Sequence, residues 1–209
     1  MTVEADLVLV EARLVSGQLA CPGCAGSLRP WGWARARKVR GIAGALRPRR
    51  ARCAGCLVTH VLLPVTVLLR RGYSADVVGA AVMARAGGAG HRSAGAGLGV
   101  PVATVRGWWR RLATRLDWVR VFLLQVAVRA GVDVAVPTAL GCPWRDLLAA
   151  LGAATAAVTG RFGPLGVLGP VTAWQVAAAC SAGRLLALGW PPLGAVVAPT
   201  PVASDGRGC

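Results

Sequence analysis

Acidic residues are scarce in this 209-residue chain: eight Asp and Glu stand against twenty-four Lys and Arg. Glu4 and Glu11 are the only glutamates, and beyond residue 120 the acids are Asp133, Asp146 and Asp205, on short unrelated segments. That scarcity excludes reactions in which grouped carboxylates hold metal ions for phosphoryl transfer. The chain is therefore expected not to be an enzyme and to have no small-molecule substrate. Lysine is almost absent too, with Lys38 alone among twenty-three arginines. The codon bias of a GC-rich genome accounts for much of that preference, but not for where the charge sits. The opening residues lack a basic stretch followed by a long apolar core, so they do not read as a secretory signal. Nor is there a clean run of about 20 apolar residues, as a membrane span needs. Residues 146–160 stop at Arg161, and 171–190 contain Gln175 and Arg184. No membrane association and a cytoplasmic location are expected.

The positive charge is concentrated. Residues 21–120 carry eighteen Lys or Arg against two acids, Asp76 and Asp117, and so hold the whole net charge of +16. Such a surface calls for a densely negative partner, and nucleic acid is the first candidate. An anionic membrane surface is the weaker one.

Seven cysteines include two hooks, Cys21-Pro-Gly-Cys24 and Cys53-Ala-Gly-Cys56, separated by twenty-eight residues. Two thiolates spaced by two residues can share one tetrahedral metal, and a second hook from a distant point completes four ligands. Zinc on Cys21, Cys24, Cys53 and Cys56 is the expectation. A disulfide pair is the competing reading, but disulfide frameworks belong to small secreted domains. Gly23 and Gly55 are expected to supply the positive φ of each turn. His60 is a neighbour of the site that could replace a sulfur. Cys142, Cys180 and Cys209 have no ligand-like spacing and are expected as reduced thiols.

The predicted fold class is α+β: a four-cysteine ribbon sheet, then a mainly α-helical helix-turn-helix module, then a helical C-terminal region. Residues 1–20 are a lead-in, a short strand or helix. Residues 21–63 form a ribbon of three or four antiparallel strands. Residues 64–73 are a linker, 74–120 the helical module, 121–188 an apolar helical region, and 189–209 a disordered Pro- and Gly-rich tail. Further linkers are placed at 133–143 and 160–170. Trp31 and Trp33, two apart, are placed on one strand face and read as cover for a thin core, with an aromatic nucleic-acid platform as the alternative. Arg37, Lys38, Arg40, Arg47, Arg49 and Arg50 are expected to touch phosphates.

Within 74–120, Ser74 is placed to cap a first helix. Gly99 makes a turn between a second helix, 91–98, and a third running from Val102 to about Leu116. Gly95 lets the helices approach closely. Val105, Trp108, Leu112 and Leu116 have core spacing, which leaves Ala103, Arg106 and Arg110 on the outer face with Arg111 at its edge. A recognition helix puts such a face in the major groove. Arg92, on the second helix, joins this DNA-contacting set. His91 has no ligand partner at a useful spacing for a metal and is read as an exposed N-terminal helix residue near phosphate. The apolar C-terminal helices are expected to pack on this half or to self-associate as a homo-oligomer.

The run Cys-Pro-x-Cys, Leu-Arg-Pro-Trp-Gly-Trp, Leu-Arg-Pro-Arg-Arg-Ala-Arg-Cys-x-x-Cys and Thr-His-Val-Leu-Leu-Pro resembles actinobacterial proteins with a zinc ribbon and a helix-turn-helix. These are similar to the DNA-binding front end of insertion-sequence transposases. The resemblance covers about residues 20–120. It implies zinc on the four cysteines and DNA on the helix with Arg106 and Arg110. The three carboxylates of such transposases have no counterpart here, so no catalytic role carries over.

Overall fold

The computed structural model describes residues 1–131, 134–163 and 171–190. The fold is α+β, with a mixed four-stranded sheet, a separate two-stranded hairpin and seven helices among the described residues. Most of the tail expected to be disordered lies outside the described residues, as does most of the 160–170 linker.

The lead-in is built into the sheet rather than trailing from it. Strand β1 (Thr2–Val3) pairs in parallel with β6 (Thr59–Pro64), Thr2 opposite Leu63 and Val3 opposite Pro64. Helix α1 (Leu7–Val15) follows, capped by Asp6, whose carboxylate accepts from the Val8 amide at 2.8 Å. Val10 and Leu14, four apart and so on one helical face, are buried against the sheet. The sheet order is β1-β6-β5-β2, where β2 is Leu28–Trp33 and β5 is Arg49–Cys53. The β2–β5 and β5–β6 pairs are antiparallel, as the ribbon reading requires. Alternation in β5 buries Arg49, Ala51 and Cys53 on the α1 side. The hairpin of β3 (Arg37–Lys38) and β4 (Ala45–Leu46) stands apart from this sheet.

The segment 64–73, expected as a linker, is packed. Val67 and Leu68 are fully buried, the first in a small cluster with Val39, Leu46 and Leu63, the second in the helical core. The Leu69 amide donates to the Gly183 carbonyl at 2.7 Å. Arg40 bridges to Tyr73 beside it, donating its amide to the Gly72 carbonyl and accepting from the Ser74 amide.

Helices α2 (Ala75–Ala86), α3 (His91–Leu98) and α4 (Val102–Ala113) come next. Ser74 caps α2 as expected, accepting from the Val77 amide. The α3 segment, with two internal glycines and no side-chain cap, is helical all the same. Its buried Ala94 and Gly95 lie against neighbouring elements, so tertiary packing offsets its poor propensity. α5 (Leu116–Ala130) is a separate helix rather than an extension of α4. It packs along α6 (Pro143–Phe162), and the short helix α7 (Ala173–Cys180) follows among the described residues. All six of these helices share one apolar core. The 121–188 region thus packs on the 74–120 module, one of the two arrangements expected for it, with α5 and α6 paired along their length.

The tightest joint is Gly79 of α2 under Trp174 of α7. A Cβ on Gly79 would lie 2.2 Å from three atoms of the indole. Gly79→Ala is expected to destabilise the protein by about 1–3 kcal/mol through overpacking. Alanine's better helix propensity, worth about 1 kcal/mol, offsets only part of that. Urea denaturation of the two proteins checks it.

Candidate metal centre and basic face

The four hook cysteines converge. Their Sγ atoms all lie within 4.8 Å of one another. Cys21 Sγ is 3.7 Å from Cys56 Sγ, and Cys24 Sγ is 3.4 Å from Cys53 Sγ. All four cysteines are free thiols, which rules against the disulfide reading for the hooks. The two hooks are built alike. In the first, the Cys21 amide donates to Gly26 and the Ala25 amide returns to the Cys21 carbonyl. In the second, the Cys53 amide donates to Val58 and the Leu57 amide returns to the Cys53 carbonyl. The positive φ expected at Gly23 and Gly55 falls instead on Ala25 (58°) and Leu57 (62°), one residue past each hook. The left-handed residue is the one that turns the chain back after the second sulfur, and a Cβ on Gly23 or Gly55 would meet the sulfurs only at ordinary contact distance. Gly26, just past the first hook, is the glycine that gives clearance: a Cβ there would come within 3.1 Å of Cys53 Sγ and 3.3 Å of Cys24 Sγ.

The electrostatics of the sulfurs fit a cation. The Cys56 amide, set against some desolvation and helped by Cys24 and the Gly55 amide, brings the Cys53 thiol down to about 6. Cys56 accepts a hydrogen bond from the Val58 amide, which favours its thiolate. The Cys24 sulfur, burial and the other two sulfurs outweigh that and push it up to about 12. Four touching sulfurs release their first proton easily and their last with difficulty, unless a positive charge sits among them. The residues present therefore suit a soft or borderline metal ion with four thiolate ligands. His60 is outside this group of four. Its Nε2 lies 3.3 Å from Cys21 Sγ, the placement of a second layer that orients a ligand.

The other cysteines divide. Cys180 is a free thiol, its pKa raised by burial. Cys142, expected reduced, is disulfide-bonded, and Cys209 lies outside the described residues.

Around the metal centre the basic residues take three different roles. Arg49 does not belong with the phosphate-contacting set. Its guanidinium is buried and donates to Glu11 at 2.7 and 3.0 Å and to the Gly32 carbonyl at 2.5 Å, with Trp33 stacked at 4.9 Å. It fastens α1 to the sheet. Hydrogen bonding from Arg49 holds the Glu11 carboxyl below its ordinary pKa, against a smaller desolvation effect. The pair's stabilisation is then complete above the ordinary carboxylate pKa and is lost as pH falls through the depressed folded value. Glu11 is well exposed, so Glu11→Gln is expected to cost only about 1 kcal/mol at neutral pH. The difference from wild type should vanish in acid, as urea midpoints measured from pH 7 down to 3 would show.

The tryptophans do not cover the core, nor do they share a face. The β2–β5 register gains a residue between Pro30 and Trp33, with Gly32 at φ 92°, and this bulge breaks the alternation. Trp33 turns to the Arg49 side and Trp31 to the other, where Arg52 lies 4.7 Å from its ring. Both rings are about half exposed, at 50% for Trp31 and 44% for Trp33. The outer sheet face thus carries Trp31, Arg52 and its cross-strand neighbour Arg29. Half-buried Arg50 is opposite exposed Val61 on the same sheet. Arg47 is exposed and lies 5.9 Å from the Trp33 ring. Arg37 is half-buried and Lys38 exposed on the separate hairpin. Exposed Arg40 reaches the α3–α4 turn, where a Cβ on Gly99 would come within 2.9 Å of its guanidinium.

The α3–α4 corner is tight. Gly99 has φ 58°, and the Val100 amide donates back to the Gly95 carbonyl at 2.9 Å. A Cβ on Gly95 would come within 2.9 Å of the Val100 carbonyl oxygen, so only glycine fits without movement. Val105, Trp108 and Leu112 are buried on the inner side of α4, as their spacing predicts. Trp109 joins them, donating its indole N–H to the Ala81 carbonyl at 3.0 Å. That residue was missed, although it stands four after Val105. Ala103, Arg106 and Arg110 are exposed on the outer side, and Arg111 is half-buried at the edge, donating to its own helix at Gly107. Arg92 is exposed on α3. His91, read as exposed, is half-buried and meets Arg106 at 2.9 Å. Among the described residues no helix is long and apolar enough to cross a membrane. No family model, no curated protein and no solved structure matches the chain.

Proposed function

We propose that the protein is a zinc-dependent, sequence-specific DNA-binding protein without a catalytic domain. Zinc on Cys21, Cys24, Cys53 and Cys56 holds the ribbon, and α2–α4 serve as a helix-turn-helix with α4 as the recognition helix. The observation that carries this reading is the division of α4. Its inner side is buried through Val105, Trp108, Trp109 and Leu112, while Ala103, Arg106 and Arg110 are exposed together. Arginine reads guanine through two parallel hydrogen bonds, and Ala103 leaves room for close approach. Exposed Arg40, Arg47, Arg92 and Lys38, with half-buried Arg37, Arg50 and Arg111, supply phosphate contacts that set orientation. Zinc is favoured over other ions because four thiolates in a closed cluster suit its structural sites.

The test is DNA binding by purified protein, with and without stoichiometric zinc, across a salt series and against a random-sequence pool. Dependence on zinc, a steep salt slope and selection of a sequence are expected. Salt-steep binding with no selection would reduce the basic face to an electrostatic patch. A second reading, single-stranded DNA or RNA bound on the ribbon, is favoured by one observation: half-exposed Trp31 with Arg52 over its ring offers a stacking surface. Under that reading binding survives replacement of Arg106 and Arg110. Service as an accessory chain to a separate catalytic subunit is compatible with either.

A further inference from the structure

Three arginines, Arg71, Arg111 and Arg115, gather beside α4, and of these the reading above uses only Arg111, as one phosphate contact among several. Arg71 and Arg115 both feel the charge of Arg111. Arg71 donates one amino group to the Leu186 carbonyl at 2.9 Å, yet its Nε is buried with no partner among the described residues. Arg115 donates to the carbonyls of Arg111, Ala187 and Trp190, yet one of its terminal nitrogens is likewise buried without a partner. Burial first, then the repulsion of Arg111, lowers the pKa of both guanidiniums. The two side-chain ion pairs among the described residues use Glu4 and Glu11 and do not reach this place. Above the cluster lies a cleft of about 260 Å³ between the 70–73 turn and α4, lined by Arg70, Arg71, Gly72, Tyr73, Gly107 and Arg111 among others. The glycine at 107 makes room: a Cβ there would press to 3.2 Å from the Arg111 guanidinium.

Like charges gathered with unpaired donors are costly unless an anion takes the donors up. Guanidinium forks match tetrahedral oxyanions through paired hydrogen bonds. We propose that this cleft is a phosphate-binding site, with Arg70, Arg71 and Arg111 as ligands and Arg115 as the charge beneath them. The same chemistry would receive a free phosphate or a backbone phosphate of nucleic acid. The site is read from its own groups and does not depend on sequence-specific DNA recognition.

The full-length, metal-loaded protein is titrated with sodium phosphate at ionic strength held constant with chloride, and thermal unfolding is followed. Phosphate at about ten times its Kd should raise the wild-type Tm by about 3–5 °C. Arg111→Ala should lose most of that rise, because one charge-assisted ligand is worth about tenfold or more in affinity. In chloride alone its Tm should not fall below wild type, since the repulsion on Arg71 and Arg115 is relieved; a merely structural Arg111 would give a lower Tm. Exposed Arg70→Gln is the second variant should Arg111→Ala not fold, with the same loss of phosphate response expected.

A random-sequence duplex separates the two sources. If the cleft holds a backbone phosphate, Arg111→Ala lowers the salt slope by about 0.9. If it holds free phosphate, the slope is unchanged and only the phosphate response is lost. Equal phosphate shifts in wild type and variants, as a general salt effect gives, overturn the proposal. So does the absence of any wild-type shift together with an unchanged slope. Failure to select a sequence from the random pool would sink the helix-turn-helix reading and leave the phosphate titration standing.

Discussion

Cys53→Ser should abolish stoichiometric metal binding and strongly destabilise the fold. Cys53 is fully buried at the end of β5 and opens the second hook, and its sulfur accepts from the Gly55 and Cys56 amides. The core of this part is thin, comprising Val3, Val10, Leu14, Leu19, Leu28, Ala51 and Leu62 beside two of the ligands themselves. Structural zinc typically contributes on the order of 10 kcal/mol or more of folding free energy, well above what so small a core supplies. Serine has nearly the same shape but is a poor ligand for such an ion. The expected result is one metal per chain in wild type and none in the variant by elemental analysis, with loss of the near-ultraviolet signal of Trp31 and Trp33. Cys180→Ser, at a thiol outside the group of four, should keep its metal. Equal metal content in wild type and Cys53→Ser would remove the ribbon site altogether.

The second large effect is expected from Arg106→Ala combined with Arg110→Ala. Each good bidentate contact to a guanine is worth about 1–3 kcal/mol of discrimination, so the pair should cost between about thirtyfold and about twenty-five-thousandfold in preference for the selected sequence. Both side chains are exposed, so the fold should lose no more than about 0.5 kcal/mol. The single variants should differ. Arg106 rests against His91 in the free protein and must leave it to reach a base, whereas no such contact holds Arg110. His91→Ala should therefore leave sequence preference intact and improve affinity slightly. Measured against the random pool and one selected duplex, unchanged preference in the double variant would transfer the function to the ribbon face.

The convergence of the four hook cysteines was legible because doubled Cys-x-x-Cys spacing has few other uses. The buried positions Val105, Trp108 and Leu112 were legible for a similar reason, a period of three to four. What sequence spacing could not show was anything decided by a partner distant in the chain. Arg49 reads as one cation in a row of cations until Glu11, thirty-eight residues earlier, is brought to 2.7 Å. Trp31 and Trp33 follow the period of a regular strand, and a single bulge at Gly32 sends them to opposite faces. The hook glycines were credited with a backbone conformation that Ala25 and Leu57 adopt, because turn composition marks the neighbourhood of a reversal and not the residue that makes it. Residues 64–73 carry the prolyl and glycyl punctuation of a linker, and only their neighbours, Val39 and the turn around Gly183, make them core.

That last joint has a mechanical consequence. A chain with slack between two modules melts in two steps and lets either one swing. Here Val67, Leu68 and the bond from the Leu69 amide to Gly183 leave no slack. The sheet and the helices are expected to melt together, so withdrawing the metal from the sheet should lower the melting temperature of the helices as well. Calorimetry should then record a single transition that moves as a whole under chelation.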